Sequence, residues 1–299
     1  MAEHTTKIGF VGLGHMGGNM AARFLSAGYA VFGEDQSREQ AQHLVDEGLA
    51  WRDRPREVAE AADVVFTSLP DDRVLEEVAS GPDGILAGLA PTKTWVDVST
   101  VSPRKSRELA ERARAQGATM LDSPVSGSLP QVQSGTLTIM VGGDEDAYRR
   151  VEPLLRELGT PNCIGANGQG LVVKLAVNIS LAVQMLAFAE GLLLAERSGV
   201  DRQRALDVMA ESAIGSPMLK ARASIIFDLP DEAWFTLAFM RKDVELALDA
   251  GRALEISLPT AERADEVLER ARALGYEQRD LAALLQVLEQ MAPERKTWA

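Results

Sequence analysis

Short β-branched runs alternate with amphipathic stretches through the first half of the chain, a pattern that predicts βαβ units around a parallel sheet. The runs predict strands at Ile8 to Val11, Ala30 to Gly33, Val64 to Ser68, Thr94 to Val98, Thr119 to Asp122 and Thr138 to Val141, with a short piece near Cys163. Between them the spacing predicts helices over Gly17 to Ser26, Arg38 to Glu47, Arg73 to Ser80, Pro103 to Gln116 and Glu145 to Leu158. Pro103 suits a first helical turn, where a missing N–H does no harm, and Ser102 before it suits a cap. From Gly170 onward the strand signal ends. Long helix-period segments follow, broken at Gly199, at Gly215-Ser216-Pro217, at Leu229-Pro230, at Leu258-Pro259 and at Gly275. The chain thus changes class near Gly165: an α/β domain over 1–164, then an all-α domain over 165–299 that opens with a long helix.

The opening of that helix, Leu171 to Ala195, is apolar enough to raise the question of a membrane span. Lys174, Asn178, Gln184 and Glu190 interrupt it, and several of these are expensive in hydrocarbon. A helix apolar on most faces in a soluble protein is buried on most faces. The two domains or a second subunit must bury it, so a homodimer or homotetramer is expected.

At 299 residues the chain fits about two domains, and its formal charge of -13 with few aromatic residues argues against a nucleic-acid surface. Cys163 is the single cysteine, which excludes an intrachain disulfide and a cysteine metal site; His4, His15 and His43 show no ligand spacing. Nothing in Met1-Ala2-Glu3-His4-Thr5-Thr6 resembles a signal peptide. A cytoplasmic enzyme or binding protein, off the membrane, is the expected class.

Candidate chemistry begins at Gly12-Leu13-Gly14-His15-Met16-Gly17, a G-x-G-x-x-G pattern placed directly after the first strand and at the start of a helix. Gly12 permits the tight turn, Gly14 lets backbone approach a pyrophosphate, and Gly17 lets helix pack on strand. The helix N-terminus then meets the phosphates with its N–H groups. After the second strand the chain reads Gly33-Glu34-Asp35-Gln36-Ser37, two carboxylates with no arginine before Arg38. A 2′-phosphate would meet like charge there, which favours NAD over NADP, with Asp35 as the acid on the ribose. Leu69 and Pro70 follow the third strand and Thr100 the fourth, at the carboxyl ends where open parallel sheets bind ligands.

Further along, Gly168-Gln169-Gly170 feeds an apolar helix bearing one amine and one amide, Lys174 and Asn178. Four residues apart, they share a helix face. Apolar neighbours disfavour the charged lysine and move its pKa toward working pH, which suits a general acid/base. The loop Asp122-Ser123-Pro124-Val125-Ser126-Gly127-Ser128 offers hydroxyls and turn N–H groups able to hold a carboxylate.

Taken in order, the glycine fingerprint, the Asp122 to Gly127 loop, the Gly168 to Asn178 segment and Lys242-Asp243 resemble the β-hydroxyacid dehydrogenase family, which includes 3-hydroxyisobutyrate dehydrogenases and is related to 6-phosphogluconate dehydrogenase. The resemblance runs from Lys7 to the helix near Leu288. It implies a Rossmann-type domain, a long connecting helix, an all-α domain and an active site in the cleft between them. It also implies NAD(P)-dependent interconversion of a small 3-hydroxy acid and its semialdehyde, with no metal. By position, Lys174 matches the catalytic lysine, Asn178 the substrate-orienting amide, Ser126 and Gly127 the carboxylate loop, and Thr100 and Lys242 positions that contact the cofactor.

Two departures stand out: Ser128 replaces a glycine common at the end of that loop, and Ser123 an alanine common after its aspartate. Both add a hydroxyl near the expected substrate, which points to a more polar substrate unless they satisfy loop backbone groups. Met218, Phe235 and Phe239 are candidates for the far wall. The alternatives are an imine reductase, which generally lacks a lysine at the position of Lys174, and a noncatalytic dinucleotide-binding module.

Overall fold

A computed structural model describes residues 5–292, so His4 lies outside the described residues. The chain forms two compact units, Met1–Lys174 and Leu175–Ala299. The division falls inside the long helix, later than the class change near Gly165. The reason is packing: Leu171, in the first turn of that helix, is fully buried in an apolar cluster of the first unit with Trp95, Leu109 and Met120.

Among the described residues the first unit carries nine strands: β1 (Lys7–Val11), β2 (Ala30–Glu34), β3 (Ala50–Trp51), β4 (Val64–Thr67), β5 (Thr94–Asp97), β6 (Thr119–Asp122), β7 (Val125–Ser126), β8 (Leu137–Gly142) and β9 (Gly159–Gly165). Its helices are α1 (His15–Ser26), α2 (Gln42–Asp46), α3 (Pro55–Ala61), α4 (Asp72–Ala79), α5 (Ile85–Gly88), α6 (Pro103–Ala115), α7 (Leu129–Ser134) and α8 (Glu145–Leu158). Strands β3-β2-β1-β4-β5-β6 lie side by side and parallel, the doubly wound order of a Rossmann-type domain. The order reverses between β1 and β4, which opens the crevice in which such sheets bind ligands.

Every residue of β4 and β5 is buried, as expected for parallel strands covered on both faces. One cluster stacks Phe10 on Phe66 with ring centroids 5.7 Å apart, and Phe24 packs against both Phe66 and Tyr29.

The sheet is not parallel throughout. Val125 and Ser126 pair with Ile139 and Thr138, so the chain folds back as a hairpin and β8 runs antiparallel to β6 and β7. Hydrophobic periodicity does not show β3, β7, α3, α5 or α7, all of them seven residues or shorter. Such pieces repeat either pattern at most about twice, too few times to stand out from the surrounding sequence. The helix expected over Arg38 to Glu47 is regular only over α2.

The second unit is helical. The long helix α9 (Gln169–Arg197) enters it and is followed by α10 (Arg202–Glu211), α11 (Pro217–Ala223), α12 (Leu237–Ala253), α13 (Pro259–Ala273), a 3₁₀ turn over Leu281–Ala283 and α14 (Leu284–Met291). Ala182, Met185, Phe188, Ala189 and Leu192 of α9 lie in this unit's apolar core with Leu219, Met240, Val244 and Leu285. Among the described residues α9 alone is long and apolar enough, by length and composition, to cross a membrane.

One charged group organises the segment that leads into α12. Asp280, fully buried, accepts from Arg222 Nε at 3.1 Å and from the Ala282 N–H at 3.0 Å through Oδ1, while Oδ2 takes the N–H groups of Trp234 and Phe235. Replacing Asp280 with alanine strands a buried guanidinium and three backbone donors. The expected cost is about 3–5 kcal/mol, read as a lower urea midpoint; a midpoint unchanged from wild type would contradict this account of the segment.

Candidate active site

The turn after β1 shows why its glycines are needed. Gly12 has φ of +88°, and a Cβ there would lie 2.4 Å from the Ser68 carbonyl oxygen. At Gly17 a Cβ would lie 2.0 Å from the Gly12 carbonyl oxygen, so α1 sits against the turn with no room for a side chain. Gly14 differs: a Cβ there meets nothing within 4 Å, and no side chain caps α1 at this residue. The loop is therefore closed behind and open in front of a helix N-terminus, a shape that fits an anionic diphosphate. His15 is exposed and Met16 half-buried in the first turn of α1, while Leu13 is buried beneath the loop.

Both acids at the end of β2 belong to this corner. Asp35 turns toward the glycine loop, with Oδ2 accepting the Leu13 N–H at 2.7 Å and Oδ1 the Ser37 N–H at 2.9 Å. Burial, reinforced by the neighbouring Asp35 charge, pushes the Glu34 carboxyl up to about 7. The guanidinium of Arg38 lies over the Trp51 ring and that of Arg52 over Phe32, at 5.5 and 4.7 Å from the centroids.

The next two strand ends are tied together by a buried carboxyl that sequence reasoning did not single out. Asp97 Oδ1 accepts from Thr67 Oγ1 at 2.7 Å, from Ser99 Oγ at 2.6 Å and from the Ser99 N–H, and Ser99 Oγ in turn accepts the Leu69 N–H at 2.9 Å. Leu69-Pro70 and Thr100 thereby sit on loops joined through one acid. Burial holds Asp97 above the usual carboxylate range. Its only sequence signal was a charge at the end of an otherwise apolar strand.

In the loop after β6, Val125 and Ser126 are paired to β8, and Gly127 follows at φ of +131°. The Ser128 side chain is committed to the start of α7: it accepts the N–H of Gln131, while the Gln131 side chain accepts from the Ser128 N–H and hydroxyl. Ser123 is fully buried. Of the two alternatives for these hydroxyls, Ser128 follows the one in which it satisfies local groups, through a capping box, while Ser123 Oγ is buried with no hydrogen-bond partner among the described residues.

Lys174 and Asn178 lie one turn apart on α9 and are both buried, at 8% and 1% exposure. Within the second unit, Asn178 Nδ2 donates to Asp243 Oδ2, and Asp243 Oδ1 lies 3.0 Å from Lys242 Nζ. The amide is therefore oriented, its Nδ2 spent on Asp243 and its buried Oδ1 with no hydrogen-bond partner among the described residues. Asp243 is the residue that gives Asn178 this direction; its signal was the Lys242-Asp243 pair. Phe235 packs on the second unit's core with Met218 nearby in the same cluster, and Phe239 is exposed with its ring centroid 6.3 Å from that of Phe235.

Known proteins match nearly the whole chain. A family model described as the NAD binding domain of 6-phosphogluconate dehydrogenase matches residues 7–168. A second, described as NAD-binding of NADP-dependent 3-hydroxyisobutyrate dehydrogenase, matches residues 168–288. The chain belongs to the β-hydroxyacid dehydrogenase family. It is 34% identical to 2-(hydroxymethyl)glutarate dehydrogenase of Eubacterium barkeri over 97% of each chain. To 2-hydroxy-3-oxopropionate reductase of Escherichia coli K12 it is 35% identical over 96% of this chain and 98% of that one. The Mycobacterium tuberculosis 3-hydroxyisobutyrate dehydrogenase structure with L-serine superposes with a TM-score of 0.84 at 32% identity, covering 95% of this chain and 99% of that one.

The closed back of the glycine loop is open to test. Gly17→Ala must push the Gly12 carbonyl aside, so dinucleotide affinity by titration calorimetry should fall by about tenfold or more, equivalent to about 1.4 kcal/mol. Wild-type affinity in that variant would show that the loop yields and that its shape is not the binding determinant.

Proposed function

We propose that this protein is an NAD(P)-dependent oxidoreductase that interconverts a small 3-hydroxy acid and its semialdehyde. The observation that carries the proposal is the buried pair Lys174 and Asn178, one turn apart on α9, in a chain whose glycine loop fits a dinucleotide. The names of two relatives support the same class, one a 2-(hydroxymethyl)glutarate dehydrogenase and the other a 2-hydroxy-3-oxopropionate reductase. When bound, the nicotinamide supplies the hydride acceptor or donor. Lys174 takes the proton from the substrate hydroxyl in oxidation and returns it to the carbonyl oxygen in reduction, so charge does not build on that oxygen. Asn178, held through Nδ2 by Asp243, presents Oδ1 in a fixed direction, a positioning role. Ser126 and Gly127 dock the substrate carboxylate with a hydroxyl and turn N–H groups.

NAD is the proposed cofactor, with NADP disfavoured. Asp35 beside the glycine loop repels a 2′-phosphate, and Glu34 adds a second negative charge as it ionises near pH 7. The stacking of Arg38 on Trp51 and of Arg52 on Phe32 supports this reading, because it holds both guanidinium groups on ring faces. We further propose a cytoplasmic homodimer or homotetramer associating through α9, which exposes Val172 and Leu194 at 41% and 70%. Sedimentation at micromolar protein should show no monomer; a monomer would remove that part of the proposal.

Two measurements test the chemistry. Lys174→Ala should lower turnover by about 10²–10⁴-fold while dinucleotide affinity stays near wild type, and retained turnover would defeat the assignment of the lysine. The ratio of kcat/KM for NAD over NADP should exceed one and rise between pH 6 and 8 as Glu34 ionises; a flat or falling ratio would show that these acids do not face the 2′ position. The assays begin from a panel of 3-hydroxyisobutyrate, 3-hydroxypropionate, serine, glycerate, 4-hydroxybutyrate and threonate.

A further inference from the structure

Asp122 closes β6 and is fully buried. Its Oδ1 accepts the Gly168 N–H at 2.6 Å and its Oδ2 the Leu171 N–H at 3.1 Å. These two donors bracket the opening turn of α9, where N–H groups lack intrahelical acceptors and a negative charge is favoured. Charge-assisted bonds of this kind are the stronger ones.

The space around the carboxylate is closed as well. A Cβ on Gly142 would lie 2.6 and 2.7 Å from its two oxygens, and one on Gly170 would lie 2.9 Å from Oδ2 and 2.3 Å from the Met140 carbonyl oxygen. Helix α9 therefore starts against bare backbone, with little freedom to slide or turn about its axis. Lys174 follows Leu171 by three residues and inherits that placement.

We infer that Asp122 is a positioning residue for proton transfer by Lys174: its carboxylate sets the axial and rotational placement of the first turn of α9, and with it the lysine. The inference rests on the role proposed for Lys174.

The charged groups about Asp122 are few. Asp97, its register partner on β5, adds a second buried carboxyl; Arg107 of α6 brings its guanidinium over Gly168; the facing end of β8 is glycine. Burial pushes the Asp122 carboxyl up to about 6, against the pull of the Gly168 and Leu171 N–H groups, with Asp97 adding to the rise. A carboxyl raised in the fold contributes stability below its unfolded pKa and loses that contribution as pH climbs through about 6. Acidification thus weakens the anchor, because one acceptor oxygen becomes a hydroxyl, without costing the fold stability through this group.

Asp122→Asn keeps the size and puts an NH₂ against one of the two backbone donors. The expected result is a wild-type kcat that falls on an acidic limb near pH 6 and, in Asp122→Asn, a kcat lowered by about tenfold or more, a dinucleotide KM within about twofold of wild type and no such limb. Wild-type kcat with the acidic limb intact would overturn the inference. Lys174→Ala measured beside it separates the two claims. An inactive Lys174→Ala with a fully active Asp122→Asn defeats only the positioning role, whereas an active Lys174→Ala defeats both.

Should Asp122→Asn fail to fold, amide hydrogen exchange in the wild-type chain gives the answer. Protection of the Gly168 and Leu171 amides should drop by about tenfold or more between pH 8 and pH 5, relative to amides in the middle of α9 and after correction for the intrinsic exchange rate. Unchanged relative protection would show that the carboxylate does not control the start of the helix.

Discussion

A parallel sheet covered on both faces has nowhere to keep polar side chains except at its strand ends, and this constraint shapes the first unit. Thr67, Asp97 and Asp122 are the last residues of β4, β5 and β6, and the register sets Thr67 opposite Asp97 and Asp97 opposite Asp122. Each is fully buried and must find a partner; Thr67 finds its own in Asp97 and Trp95 of the neighbouring strand, and the two acids reach the loops that leave the sheet. Asp97 gathers the loops at Leu69 and Ser99, and Asp122 gathers the start of α9. The polar chemistry of the strand ends is thus also the scaffold of the loops around them.

Helix α9 carries the amine and the amide of the proposed site. Its apolar face belongs to the core of the second unit, while its first turns carry Lys174 and Asn178. An amine and an amide buried in such a setting must be paired or put to use, since an unpaired buried polar group costs about 1–3 kcal/mol. Asn178 answers through Asp243, which leaves its carbonyl oxygen as the acceptor with a set direction. The same economy appears at Asp280, where one carboxylate serves a guanidinium, two loop donors and a 3₁₀ cap.

Much of the fold was legible because the long elements carry full periods. Strand β6 and helix α8 are found where periodicity sets them; the breaks at Gly199 and Gly275 fall between helices of the second unit, and those at Gly215-Ser216-Pro217 and Leu258-Pro259 mark helix starts, with Pro217 and Pro259 opening α11 and α13. Pieces too short to repeat a period more than about twice were not legible, and neither was the hairpin reversal at β7, which depends on which strand Val125 and Ser126 meet. Ser128 shows the same limit on a finer scale. A hydroxyl in a loop reads alike whether it faces a ligand or caps the next helix, and only the bonds to Gln131 decide.

The chain by itself determined the glycine fingerprint, the spacing of Lys174 and Asn178, the acidic end of β2 and the change from α/β to all-α, because each depends on neighbours close in sequence. Only the tertiary structure decided which acid turns to the glycine loop, that Asp243 orients Asn178, and that Asp122 holds the first turn of α9. Those contacts join residues 22, 65 and 46 to 49 positions apart. Burial and hydrogen-bond satisfaction at such separations are set by packing, which no local pattern encodes.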